Sequence, residues 1–353
     1  MGVAAGNARP IGSFFAFGLL DIPPSADSIW STWCSDGRAA ITAWTARAAL
    51  AKLVRTTAPR RVWLPAYSCP ELRSIAPVAA LRFYPVDEEL SPKVAFLRRH
   101  LLSGDLVIVT DYFGWPPSKE FQQFAAETPD ILWVEDRAHC LFTEHPSWAL
   151  WVLYSPRKVV GVADGGILIS LKEAGPEPAA AETADATLAL PELMRFEDTT
   201  EANNEAWYKL FKAREARFSA HPQPMSRMTA ALLRRIPLAP LVEARRRNYR
   251  FLAERLGAFA AWLRPADAVA PFGLVIKVEN GAALGAALAG ERLFCARHWP
   301  VLAADPGEFA WEHDLALRLV TLPCDHRYDE AALTRLVEAV HRLAPVTRHP
   351  LRA

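Results

Sequence analysis

Short apolar runs alternate with helix-like stretches through the first half of the chain, and this alternation limits the fold more than any other feature. The runs span residues 62–64, 81–86, 105–110, 131–134, 149–154 and 166–171. Helical patterns separate several of them, at 70–79, 93–102 and 118–127. Strands that alternate with helices predict an α/β fold with a mostly parallel sheet covered by helices. The run Leu106-Val107-Ile108-Val109 is apolar at every position, as a strand buried on both faces requires. Ahead of the first run, residues 37–57 read as a helix, with Ile41, Trp44 and Ala48 on one face and Ser35 or Asp36 as its cap.

The later part has a different rhythm. Residues 173–191 are rich in Ala, Glu and Pro without a period and read as a surface excursion. Helices are expected at 201–218, 227–236 and 240–263. Beyond them come a strand at 273–278, a helix at 282–289, a second strand at 293–298 and a closing helix at 329–343. The expected division is a large domain over 1–237 and a small C-terminal α+β domain over 238–353.

Composition excludes several function classes. The chain has 353 residues, of which 51% are hydrophobic and 22% charged, with a net charge of +1. A balance so close to neutral argues against nucleic acid or an anionic membrane as partner. No apolar run reaches the roughly 18 residues of a membrane span. The apolar stretch at 11–20 is followed by Asp21-Ile22-Pro23-Pro24, a poor signal cleavage site. The five cysteines (Cys34, Cys69, Cys140, Cys295 and Cys324) are far apart and form no C-x-x-C pair, so neither a disulfide framework nor a metal site is suggested. A cytoplasmic setting is expected. Of forty basic side chains only eight are lysine, which makes a lysine in an apolar setting conspicuous.

Ligands of open α/β sheets gather at the carboxyl ends of strands, and four polar segments lie near such ends or a helix start. Ser35-Asp36-Gly37-Arg38 sits at the expected helix start, where free N–H groups suit a phosphate, although taken alone it reads more simply as a plain cap. Asp136 follows the fourth run, with His139 three residues on. A carboxylate there can keep a ring nitrogen protonated, or merely cap the next turn. Tyr154-Ser155-Pro156-Arg157-Lys158 follows the fifth run and leads through apolar residues to Asp164-Gly165-Gly166. Desolvation would make Lys158 a nucleophile for Schiff-base chemistry, whereas an exposed site would leave it an ordinary surface lysine. The other seven lysines, Lys212 among them, look peripheral. Ser155-x-x-Lys158 also matches a motif of penicillin-recognising enzymes, but the companion motifs are missing. Asp111-Tyr112-Phe113-Gly114 could line a pocket or form a turn.

Taken together, these segments resemble the DegT/DnrJ/EryC1/StrS aminotransferases, pyridoxal 5'-phosphate (PLP) enzymes of the aspartate-aminotransferase fold, type I. The resemblance runs from Ile11-Gly12-Ser13-Phe14-Phe15 to Leu322-Pro323-Cys324-Asp325-His326-Arg327-Tyr328. Between these lie Leu64-Pro65-Ala66-Tyr67-Ser68-Cys69-Pro70, Arg246-Arg247-Asn248-Tyr249 and His298-Trp299-Pro300. The resemblance implies a PLP-dependent aminotransferase, in which Lys158 binds the cofactor and shuttles a proton, Asp136 pairs with the ring nitrogen and His139 packs on the ring. Gly37, Arg38, Ala39 and Ser155 would hold the phosphate. Cys69 stands at a cofactor-side position where the family often has an aromatic, and Tyr67, Phe113 and His298 are candidate substrate contacts. A homodimer is implied, with a partner residue near Ser226-Arg227 reaching the phosphate. The substrates implied are an amino-acid donor such as glutamate and a keto acceptor, for instance a nucleotide-linked keto-sugar.

Some positions depart from the family pattern. Arg38 stands where a helix-start Thr is usual, Asp111 replaces a histidine, Asp164 replaces a glutamate, and no partner asparagine is evident at 224–228. Two alternatives stay open: a PLP enzyme of another type, such as a dehydratase, and a non-catalytic binding or assembly relative.

Overall fold

A computed structural model describes residues 22–34, 38–174, 185–198, 204–221 and 223–344. Seven strands form one sheet in the order β1-β7-β6-β5-β4-β2-β3. They are β1 (Arg38–Ala43), β2 (Val62–Pro65), β3 (Leu81–Tyr84), β4 (Leu106–Thr110), β5 (Leu132–Asp136), β6 (Trp151–Tyr154) and β7 (Gly166–Ala174). The pairs from β3 to β6 are parallel, and β7 runs antiparallel to both its neighbours.

Successive residues of a strand point to opposite faces, and here each face meets its own core. Leu106, Ile108 and Val134 pack with Ala48, Leu50 and Leu53 of α2 (Ala46–Thr57). Val107, Val109 and Trp133 pack on the other face with Phe121 and Phe124 of α4 (Lys119–Ala126). Both faces being covered explains the unbroken apolar run of β4. The remaining helices before the last part of the chain are α1 (Ile29–Trp33), α3 (Val94–His100), α5 (Pro156–Val159), α6 (Leu190–Glu197), α7 (Asn204–Arg217) and α8 (Arg227–Leu233). From α9 (Ala239–Leu256) onward, residues enclose a core of their own around β8 (Gly273–Lys277), α10 (Gly281–Gly290), β9 (Leu319–Pro323) and α12 (Glu330–Leu343), with α11 (Ala310–Arg318) beside it. No described helix is long and apolar enough to cross a membrane.

The structure corrects three expectations. Residues 38–43 are strand β1, not the start of a helix. Ile41 pairs with Leu168 and Ala43 with Gly166, so pairing with β7 overrides an apolar spacing that also fits a helix. The helix begins at Ala46, and Thr45 Oγ1 accepts from the Ala48 amide as its cap. Second, residues 293–298 form no strand. Ala296 makes only an isolated bridge with Thr321, and the partner of β8 is β9, which the sequence pattern did not suggest. Third, the excursion at 173–191 is helical at its described end, where a 3₁₀ turn (Ala186–Ala189) leads into α6; residues 175–184 lie outside the described residues. The arm at Ile11–Phe15 and Gly37 also lie outside them.

One contact locks α2 to the sheet. Gly165 has a φ of +121°, and its amide donates to the Trp44 carbonyl at 2.7 Å. A Cβ on the next residue, Gly166, would lie 2.2 Å from the Ala46 nitrogen and the Thr45 carbonyl carbon. Neither backbone can give way without moving the helix start. Gly166→Ala is therefore expected to destabilise the protein by at least about 3 kcal/mol, read as a lowered denaturant midpoint.

Candidate active site

The carboxyl ends of β4, β5 and β6 and the start of α2 open on one cavity of about 310 Å³. Its walls include Thr45, Ala46, Arg47, Thr110, Asp136, His139, Ser155, Arg157, Lys158 and Trp299, with Cys69 at one edge. Ligand pockets typically begin near 300 Å³, so a cofactor-sized molecule fits.

Local geometry brings the key side chains together. Asp136 ends β5, and its Oδ1 accepts from the Ala138 amide at 3.0 Å, forming an Asx turn. The Cys140 amide donates to the Arg137 carbonyl at 2.9 Å, so the chain reverses and returns His139 to the cavity. Beyond β6, Pro156 opens the single turn α5, where its fixed φ suits a first helical position. The Lys158 amide donates to the Ser155 carbonyl at 3.1 Å, and Lys158 Nζ comes to 3.4 Å from His139 Nε2. Asp136, His139, Ser155 and Lys158 thus share one site although they come from two strand ends. Lys158 is exposed on the cavity wall, unlike the water-poor setting its flanking residues suggest.

Burial shapes the electrostatics. Desolvation raises Asp136 above the usual carboxylate range, against the opposing pull of Lys158 and the Ala138 amide. No described cation forms an ion pair with this carboxylate, which leaves room for one brought by a ligand. Burial, then Lys158 and then His298, hold His139 well below the ordinary histidine range. Burial and Lys158 push His298 down to about 3. His139 is held by rings: Phe272 stacks on it at 4.4 Å and 14°, and Trp299 lies 5.6 Å away at 20°. Its Nδ1 is buried without a hydrogen-bond partner, as is Thr110 Oγ1 on the cavity wall.

The end of the cavity expected to take a phosphate differs from expectation. Arg38 and Ala39 lie in β1, and the helix start that faces the cavity is Thr45-Ala46-Arg47. A threonine does stand at the cap, seven residues beyond Arg38. The first amides of α2 have no partners within the helix and aim at this end. Arg47 Nη2 donates to the Phe218 carbonyl at 3.0 Å, and Arg157 Nη1 pairs with Glu215. Glu215 and Lys212, both on α7, line the cavity, so Lys212 is not peripheral. Ser226 is committed within the chain: its amide and Oγ each donate to Asp164 at 2.7 Å.

Tyr67 and Phe113 do not line the cavity. Both are buried in an aromatic cluster, Phe113 against His139 and His298 and Tyr67 against Tyr112 and Trp299, and the Tyr67 hydroxyl donates to the His298 carbonyl. Tyr112–Gly114 is a tight turn within this cluster. The aromatic ring that reaches the cavity is Trp299. Sequence reasoning missed Thr45, Arg47, Thr110, Lys212, Glu215 and Trp299; the Thr45 cap ahead of Ala46-Arg47-Ala48-Ala49-Leu50 was the signal available.

Two neutral imidazoles give a pH signature. A histidine lowered in the folded state supports stability above its unfolded value near 6.5 and loses that support as pH falls below it. The ring-proton NMR signals of His139 and His298 should therefore not shift between about pH 5.5 and pH 8.

No protein-family model and no curated protein sequence matches the chain. Solved structures do resemble it. A DegT DnrJ EryC1 StrS aminotransferase from Brucella abortus superposes with a TM-score of 0.60 at 17% identity, covering 86% of each chain. A putative sugar aminotransferase of Streptococcus pneumoniae in its PLP form gives 0.58 at 14%, covering 87% of this chain and 88% of that one. The E. coli GDP-4-keto-6-deoxy-D-mannose-3-dehydratase with bound hydrated PLP gives 0.56 at 13%, covering 86% and 87%. The chain has the fold that these aminotransferases and this dehydratase share.

Proposed function

We propose that the chain is a PLP-dependent aminotransferase that moves an amino group from an amino-acid donor such as glutamate to a keto acceptor of the nucleotide-linked keto-sugar class. The observation that carries this reading is the meeting of Lys158, Asp136 and His139 in one cavity, at the strand ends of a fold shared with PLP enzymes. The cavity's chemistry fits the cofactor: a buried carboxylate without a cation partner among the described residues, an amine, and the start of a helix.

Bound there, PLP would supply an electron-withdrawing ring that stabilises negative charge on the substrate carbon. Asp136 would hold the proton on the ring nitrogen, and its burial would strengthen that pairing. His139 would cover one ring face, itself backed by Phe272. Lys158 Nζ would bind the cofactor and would move a proton between the substrate Cα and the cofactor C4′. Ser155, Thr45 and the first amides of α2 would hold the phosphate, with Arg47 and Arg157 nearby. Cys69 would lie at the cofactor's edge. Trp299 would wall the substrate side, while Tyr67, Phe113 and His298 would support His139 from behind. A homodimer in the cytoplasm completes the reading.

Adding PLP to the purified protein should produce a visible absorption band, and glutamate should then convert it to the pyridoxamine form. Lys158→Ala should lose the glutamate response. Asp136→Asn should still bind PLP but turn over about 100-fold or more slowly. A protein that stays colourless with PLP would sink the reading. A band that forms but ignores every amino donor would favour the dehydratase alternative.

A further inference from the structure

The end of β4 carries a carboxyl group that the mechanism above does not use. Asp111 follows β4 directly and is fully buried, and its amide donates to the Asp136 carbonyl at 3.0 Å. Glu135 on β5 and Arg137 just beyond it face Asp111 from the neighbouring strand, with Tyr154 of β6 and the Cys140 thiol in the same cluster. The bonds are shared unevenly. Arg137 Nη2 donates to Glu135 Oε1 at 3.0 Å, and Ser147 Oγ donates to Glu135 Oε2. Arg137 also donates to the Tyr154 hydroxyl at 3.4 Å and to the His145 carbonyl at 3.2 Å. Both Glu135 oxygens therefore have donors. Neither Asp111 oxygen has one; Arg137 Nε forms an ion pair with Oδ2 at 3.7 Å, beyond a hydrogen bond. One cation serves two buried carboxyl groups, and Glu135 engages it. A buried carboxylate without donors is far costlier than the neutral acid.

We propose that Asp111 is a positioning residue whose carboxyl keeps its proton, so that Asp136 is the charged group this pair of strand ends presents to the cavity. An ionised Asp111 beside Asp136 would favour protonation of Asp136, and a neutral Asp136 would stabilise a cation poorly. This consequence rests on the cofactor reading; the retained proton does not. Burial holds Asp111 well above the carboxylate range, with Glu135 adding to the rise and Arg137 opposing it. The unfolded chain releases this proton near the ordinary Asp value, whereas the folded chain keeps it. Stability from this site therefore falls as pH rises from the unfolded value toward the folded one. Asn at position 111 has no proton to release.

The test compares thermal melts of the full-length, cofactor-free protein and Asp111→Asn from about pH 5 to pH 8. The variant's midpoint is expected to gain on the wild type by about 2 °C per pH unit. A constant offset between the two curves, or a variant that loses ground as pH rises, would overturn the proposal. Should Asp111→Asn not fold, Glu135→Gln frees Arg137 to pair with an ionised Asp111. That variant should lose less stability than wild type as pH rises, and an equal loss would overturn the proposal. With PLP added, Asp111→Asn should show the wild-type band between pH 6 and 8, and a shifted band would place charge on Asp111. The melts need no cofactor, so they can fail while the PLP reading stands, and the reverse.

Discussion

The structure turns on a carboxylate, Asp136, buried at the end of a central strand with no described cation paired to it. Burial of this kind is unfavourable unless something compensates the charge. Among the described residues only the Ala138 amide hydrogen-bonds it, and that same bond makes the turn that returns His139 to the cavity. The feature that costs stability thus also builds the site. The surroundings are arranged around it: Phe272 fixes the His139 ring, Gly166 presses the start of α2 toward the same cavity, and the short turn of α5 sets Lys158 beside His139.

Much of this was legible in the sequence. The six apolar runs correspond to β2 through β7, and β4, buried at every position, shows how a strand covered on both faces leaves an apolar signature. Asp136, His139, Ser155 and Lys158 were legible because each lies within a few residues of a strand end, where local order and spatial order agree. What failed depended on distant partners. β1 reads as helix until β7 is present to pair with it, and β9 was overlooked because its partner β8 lies some forty residues earlier. Misreading β1 placed the helix start seven residues too early, at Arg38 instead of Thr45. Lys212 and Glu215 enter the cavity through the packing of α7, which its own sequence, without a clear apolar stripe, does not announce.

Fold and chemistry carry different weights here. The fold is common to aminotransferases and to a dehydratase, so it does not choose between their reactions. A histidine that burial keeps neutral, a buried carboxylate and an amine 3.4 Å from the histidine share one cavity. The chain departs from the family pattern it resembles at Arg38, Cys69, Asp111 and Asp164. Arg157, next to Lys158, spends its charge on Glu215 and so ties α7 to the wall of the cavity.

Two lysines line that cavity, and the account assigns the covalent bond to one of them. The most direct measurement is borohydride reduction of the PLP-loaded protein followed by peptide mapping by mass spectrometry. The account predicts a single pyridoxyl modification on Lys158, beside His139 and across from Asp136. Modification of Lys212 instead, or no modification at all, would contradict it.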